Sequence, residues 1–159
     1  SALRHPISAL RHPISALRPS PPTMLPDLQP AVDLLLEKIP DLQAVYAFGS
    51  RVNNACHDES DLDLAVLPPR PLDAMAIADM SGALSSRFAS VFHHVDLVDL
   101  RAANAVLAVR VLETGTILYQ SDPRAVRAFE LQVMSRYCDL NQERREILAD
   151  AVRRGTILS

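Results

Sequence analysis

Along the chain the spacing of apolar and polar positions switches between a helical and an extended period. Ala31, Leu34, Leu35 and Ile39 recur at intervals of three and four, which predicts a helix over 28–39 that Pro40 ends. The apolar run at 44–48 reads as a strand leading to Gly49-Ser50, and 51–60 reads as a turn with a short helix. Residues 61–67 form a second predicted strand, closed by Pro68-Pro69. A helix is expected over 73–89, with Met75, Ile77, Met80 and Leu84 partly on one side. A strand over 94–98, a helix over 101–114 stopped by Gly115, and a strand over 116–119 follow. Asp122-Pro123 then opens a long last helix, because Asp suits the N-cap and proline the first helical position. Val126, Phe129, Val133, Tyr137 and Leu140 make its apolar stripe, and its charged continuation over 143–154 is a candidate surface for docking a partner. The pattern implies a mixed α/β (α+β) fold, a small mixed β-sheet flanked by helices, without revealing the strand order.

The first 23 residues do not fit that picture. They read SALRHPI, SALRHPI, SALRPSPPT, a seven-residue repeat that decays into a proline-rich stretch. The prolines interrupt any helix, and each copy holds too little apolar surface to offset its ordering entropy. The repeats also lack the amphipathic helix of a transit peptide, so 1–23 is expected to be a disordered upstream extension and 24–159 the folded domain.

Composition narrows the choices. A chain of 159 residues that is 48% hydrophobic and 22% charged suits one globular core. No apolar run approaches the roughly 20 residues needed to cross a bilayer, so a cytoplasmic address is expected. Cys56 and Cys138 form neither a disulfide framework nor a zinc spacing. The extension carries Arg4, Arg11 and Arg18 and no acid; removing those three from 16 basic residues leaves 13 against 19 acidic ones from Met24 onward. Such an acidic domain lacks the electrostatic footprint of a protein that grips a polyphosphate backbone, so no direct nucleic-acid binding is expected.

The chemistry concentrates in GSRVNNACHDESDLDLAVL, residues 49–67. Alternation along a strand sends Asp61 and Asp63 to one face and Leu62 and Leu64 to the other. The two carboxylates are then about 7 Å apart along the backbone and repel unless a cation intervenes. Mg²⁺ commonly binds one or two carboxylates together with substrate phosphates. Gly49 permits close backbone approach, the Ser50 hydroxyl is a donor to a phosphate oxygen, and backbone N–H groups at a helix start attract anions. Arg51 is either a further triphosphate contact or a solvated loop arginine. Cys56 and His57 read as loop residues. In HHVDLVDL, residues 93–100, Asp96 lies within a predicted strand, where an acid needs a partner or a metal. Asp99, just before the helix expected at Arg101, is explained by N-capping. Asp96 is therefore the candidate to bind a second metal and to orient or deprotonate an attacking hydroxyl. The Arg87 and His93 pair, six positions apart, is set aside as a ribonuclease-like coincidence.

Gly49-Ser50, ten residues, then Asp61-Leu62-Asp63 resembles the GSx(10)DxD motif of the DNA polymerase β-like nucleotidyltransferases, and a later strand acid at Asp96 is also similar to that superfamily. SDLDLAVL, VDLVDL and the Gly-Thr-Ile-Leu-Tyr strand resemble the minimal nucleotidyltransferase (MNT) antitoxins encoded beside HEPN ribonuclease toxins, over about residues 34–140. Asn53 and Asn54 stand where many relatives carry a glycine, and Asn tolerates the left-handed turn better than most residues. The resemblance implies a polymerase β-like fold with a long C-terminal helix and a Mg²⁺-dependent enzyme. It implies transfer of AMP from ATP to a tyrosine hydroxyl of the HEPN toxin, with two ions held by Asp61, Asp63 and Asp96. Two alternatives keep parts of this reading: a transferase for a small acceptor such as an aminoglycoside, and an antitoxin that acts by binding alone.

Overall fold

The computed structural model describes residues 27–49 and 61–155. The extension at 1–23 and the residues at 50–60 fall outside that range.

Helix α1 (Gln29–Lys38) has Pro30 in its first turn, where a missing N–H costs nothing, and the Gln29 N–H is taken by Asp27 at 3.0 Å. It stops at Ile39, because the residue before Pro40 disfavours helical geometry. Strand β1 (Ala44–Phe48) is buried at every position. Strand β2 (Leu62–Leu67) pairs with it antiparallel, Phe48 opposite Asp63. Helix α2 (Ala74–Arg87) then carries the chain across to strand β3 (Val95–Asp99), which lies parallel to β2. Parallel pairing requires such a crossover. Helix α3 (Ala105–Thr114) returns, strand β4 (Thr116–Gln120) joins the free edge of β1 antiparallel, and helix α4 (Pro123–Arg153) closes the fold. The sheet order is β3-β2-β1-β4.

Each face of the sheet has its own core. Val45, Ala47, Leu62, Leu64, Val66, Val95 and Leu97 pack beneath α1 and α2. Tyr46, Phe48, Ala65 and Leu67 pack with α3 and the first turns of α4. The central strands read as near-continuous apolar runs because both of their faces are covered. Outside 50–60 the predicted elements recur within a few residues at each end, with two corrections. The third helix starts at Ala105 rather than Arg101, capped by the Asn104 side chain on the Leu107 N–H at 2.8 Å. Met75 is no part of the apolar side of α2: it is 70% exposed, while Met80 and Leu84 are buried.

Asp122 and Pro123 start α4 as expected, the carboxylate accepting from the Arg124 and Ala125 N–H groups. Val126, Phe129 and Val133 are buried, and Tyr137 and Leu140 half-buried. At 31 residues the helix is about 46 Å long. Its far half leaves Ile147, Leu148 and Val152 exposed. None of the described helices is long and apolar enough to cross a membrane.

Candidate active site

The acids meet where β1 ends and where β2 and β3 begin. Leu62 and Leu64 face the α1/α2 core, so Asp63 emerges on the opposite face, the one that carries α3. Parallel pairing sets Asp63 and Asp96 as direct Cα partners, with strand spacing of about 4.8 Å. Asp61 is exposed immediately before β2. The structure thus brings Asp63 and Asp96 together across two strands, with Asp61 at the mouth.

Burial, then the charge of Asp96, then that of Asp61 push the Asp63 carboxyl above its usual range; Arg110 and His94 pull it partly back. This is the signature of an acid pair short of positive charge. Among the described residues no three His, Cys, Asp or Glu groups already form a cation cage. The donor set is all oxygen and hard, and its negative charges are under-compensated. Such a set fits a hard divalent cation of the Mg²⁺ type.

Gly49 closes the site from β1. It is buried, with φ at +89°, and a Cβ built on it would collide with Oδ2 of Asp63. Glycine is therefore required twice over, for the left-handed backbone and for the space the carboxylate occupies. Ser50 and Arg51, expected to contact phosphate, lie outside the described residues, as do Asn53, Asn54, Cys56 and His57.

Two expectations about β3 change. Asp96 is not enclosed: β3 is an edge strand and the side chain is 54% exposed. Its partner is His94, whose Nε2 lies 2.9 Å from Oδ1. The other ring nitrogen, Nδ1, is 3.3 Å from the Ser85 hydroxyl, and Ser85 accepts from the Val95 N–H at 3.0 Å. Strand alternation puts His94 on the face of Asp96, two residues on, and that period was the signal for it. Asp99 does not cap a helix at Arg101. It is buried, with Oδ1 accepting from the Arg101 N–H at 2.9 Å and Oδ2 from the Leu72 N–H at 2.7 Å. It pins the turn after β3 to the segment before α2, so its role is structural.

The family model described as "Polymerase beta, Nucleotidyltransferase" matches residues 32–124. The protein adenylyltransferase MntA of Shewanella oneidensis is 37% identical over 123 residues, spanning 76% of this chain and 84% of that protein. A crystal structure of a toxin–antitoxin with AMP-PNP superposes with a TM-score of 0.70 at 35% identity, covering 80% of this chain and 99% of its counterpart. A tri-AMPylated Shewanella oneidensis HEPN toxin in complex with its MNT antitoxin matches with a TM-score of 0.64 at 35% identity, over 78% and 94% of the two chains.

Proposed function

Since the chain belongs to the polymerase β-type nucleotidyltransferase family, we propose that it is a protein adenylyltransferase antitoxin that transfers AMP from ATP to a tyrosine hydroxyl of a cognate HEPN toxin. The observation that carries this reading is the in-register pairing of Asp63 with Asp96 beside the positive-φ Gly49. The similarity to MntA and to the AMPylated toxin complex supports the choice of donor and acceptor.

In the reaction the acceptor oxygen attacks the α-phosphorus of ATP, a new P–O bond forms, and the bond from that phosphorus to the bridging oxygen of pyrophosphate breaks. Gly49 and Ser50 hold the phosphate tail, with Arg51 beside them. Asp61 and Asp63 would hold Mg²⁺, and Asp96 would share a second ion. Bound magnesium neutralises phosphate charge and offsets the charge that develops on the leaving pyrophosphate. Asp96, the most open of the strand acids, is on the acceptor side, where it orients the hydroxyl and receives its proton. His94 holds the Asp96 carboxylate through its Nε2, 2.9 Å from Oδ1. The exposure of Asp96 on edge strand β3 supports an acceptor carried by another protein.

The test is to incubate the purified chain with labelled ATP, Mg²⁺ and the HEPN protein encoded beside it, then to weigh the products. An AMP adduct on a toxin tyrosine is expected; an unmodified toxin defeats the proposal.

A further inference from the structure

A site built from carboxylates must accept a polyanion, so the positive groups around it decide whether ATP can bind. Two basic side chains bear on Asp63: Arg110 and His94. His94 is already engaged with Asp96. The Arg110 guanidinium makes no hydrogen bond or ion pair among the described residues; its backbone carbonyl accepts from the Thr114 hydroxyl.

The fold explains why Arg110 stands at this end of the sheet. Strand β3 runs away from the acids and α3 runs back, so the last turn of α3 returns to their level. Leu107 lines a hollow with Val98, two residues beyond Asp96 on the same face of β3. At the other end of the turn, a Cβ on Gly115 would lie 3.3 Å from the Ala47 carbonyl, two residues before Gly49. The helix thus shares a core cluster with Val98 near Leu107 and closes on β1 near Gly115. Arg110 lies between these anchors, three residues after Leu107 and four before Thr114, on one side of the helix. It is exposed, with a side chain long enough to lean over the acids.

We propose that Arg110 binds the phosphates of the incoming nucleotide, making it a substrate-binding residue of the transfer reaction. The inference rests on the nucleotidyltransferase reading of the same site. A guanidinium forks onto phosphate oxygens and carries a permanent charge, so it does for the nucleotide what the acidic walls cannot. Its place on a helix packed against the sheet keeps that charge in position before ATP arrives.

The test measures affinity as well as turnover. Arg110→Ala and Arg110→Lys would be titrated calorimetrically with Mg²⁺-ATP and with adenosine, and each assayed for toxin binding and for AMP transfer. The Ala variant is expected to bind ATP about 10- to 100-fold more weakly, with adenosine and toxin affinities and melting temperature unchanged. Lysine restores part of the loss, since the charge returns without the fork. ATP affinity equal to that of the unmodified protein overturns the proposal, and a selective loss of toxin affinity would reassign Arg110 to the partner interface. Unmodified protein that binds ATP but leaves the toxin unmodified defeats the functional reading alone. If it does not bind ATP, both fall.

Discussion

The two ends of β3 hold aspartates three residues apart that have opposite fates. Asp99, at the far end, is buried, and two backbone N–H groups satisfy its carboxylate. Close by, Arg101 donates to the Pro68 carbonyl at 2.8 Å and to Gln43 at 2.7 Å, and lies over the Phe129 ring. Asp96, at the near end, is open, faces another acid, and has one exposed histidine for company. Where polar groups are saturated, the protein has invested in holding its shape. Where like charges are crowded and left wanting, it has kept binding capacity for something that is not protein.

Substitutions that exchange these fates sharpen the contrast. Replacing Asp61 and Asp63 together by alanine is expected to lower AMP transfer by about 1,000-fold or more, equivalent to roughly 4 kcal/mol, while the melting temperature holds or rises. Retained transfer by that double variant, seen by mass analysis, would remove both acids from the site. Neutralisation of the toxin by the inactive double variant would instead show that binding alone suffices. At the other end, Asp99→Ala strands the Leu72 and Arg101 N–H groups and should cost about 2 to 3 kcal/mol in urea unfolding, with transfer per folded molecule nearly unchanged. A normal stability with lost activity would reverse the roles assigned to the two ends.

The smallest effect concerns pH. Asp63 holds its proton more tightly folded than unfolded, so it favours folding below the ordinary carboxylate value of 3.8 and loses that contribution as pH climbs through the raised folded value. Asp63→Asn should therefore be slightly the more stable protein at neutral pH, by under about 1 kcal/mol, given how open the site is. The gap should close as the solution is acidified toward pH 3.8, measured by thermal unfolding without nucleotide or divalent ions. A gap that widens on acidification would contradict the charge crowding around Asp63.

Much of the fold was legible because the chain punctuates itself. Pro40, Pro68-Pro69, Gly115 and Asp122-Pro123 stop or start elements where the structure does. The start of α3 was misplaced because Asp99 and Asn104 both offer capping chemistry, and only tertiary contacts show that Asp99 is spent on Leu72. For the site, strand alternation put Asp61 and Asp63 on one face. That Asp63 would stand beside Asp96 depends on strand order, which pairing partners decide and local periodicity does not. Arg110 went unremarked for a similar reason. Read along the chain it is one exposed arginine among many, and it acquires meaning only when α3 folds back across the sheet face that carries Asp63.

The parallel pairing of β2 with β3 has a practical corollary. Slip the edge strand by a single residue and its side chains exchange faces, sending one acid into the α1/α2 core and leaving the other by itself. Circular dichroism would hardly notice such an error. Specific activity in a refolded sample consequently serves as a gauge of phase between two neighbouring strands, counting only those molecules that have zipped correctly.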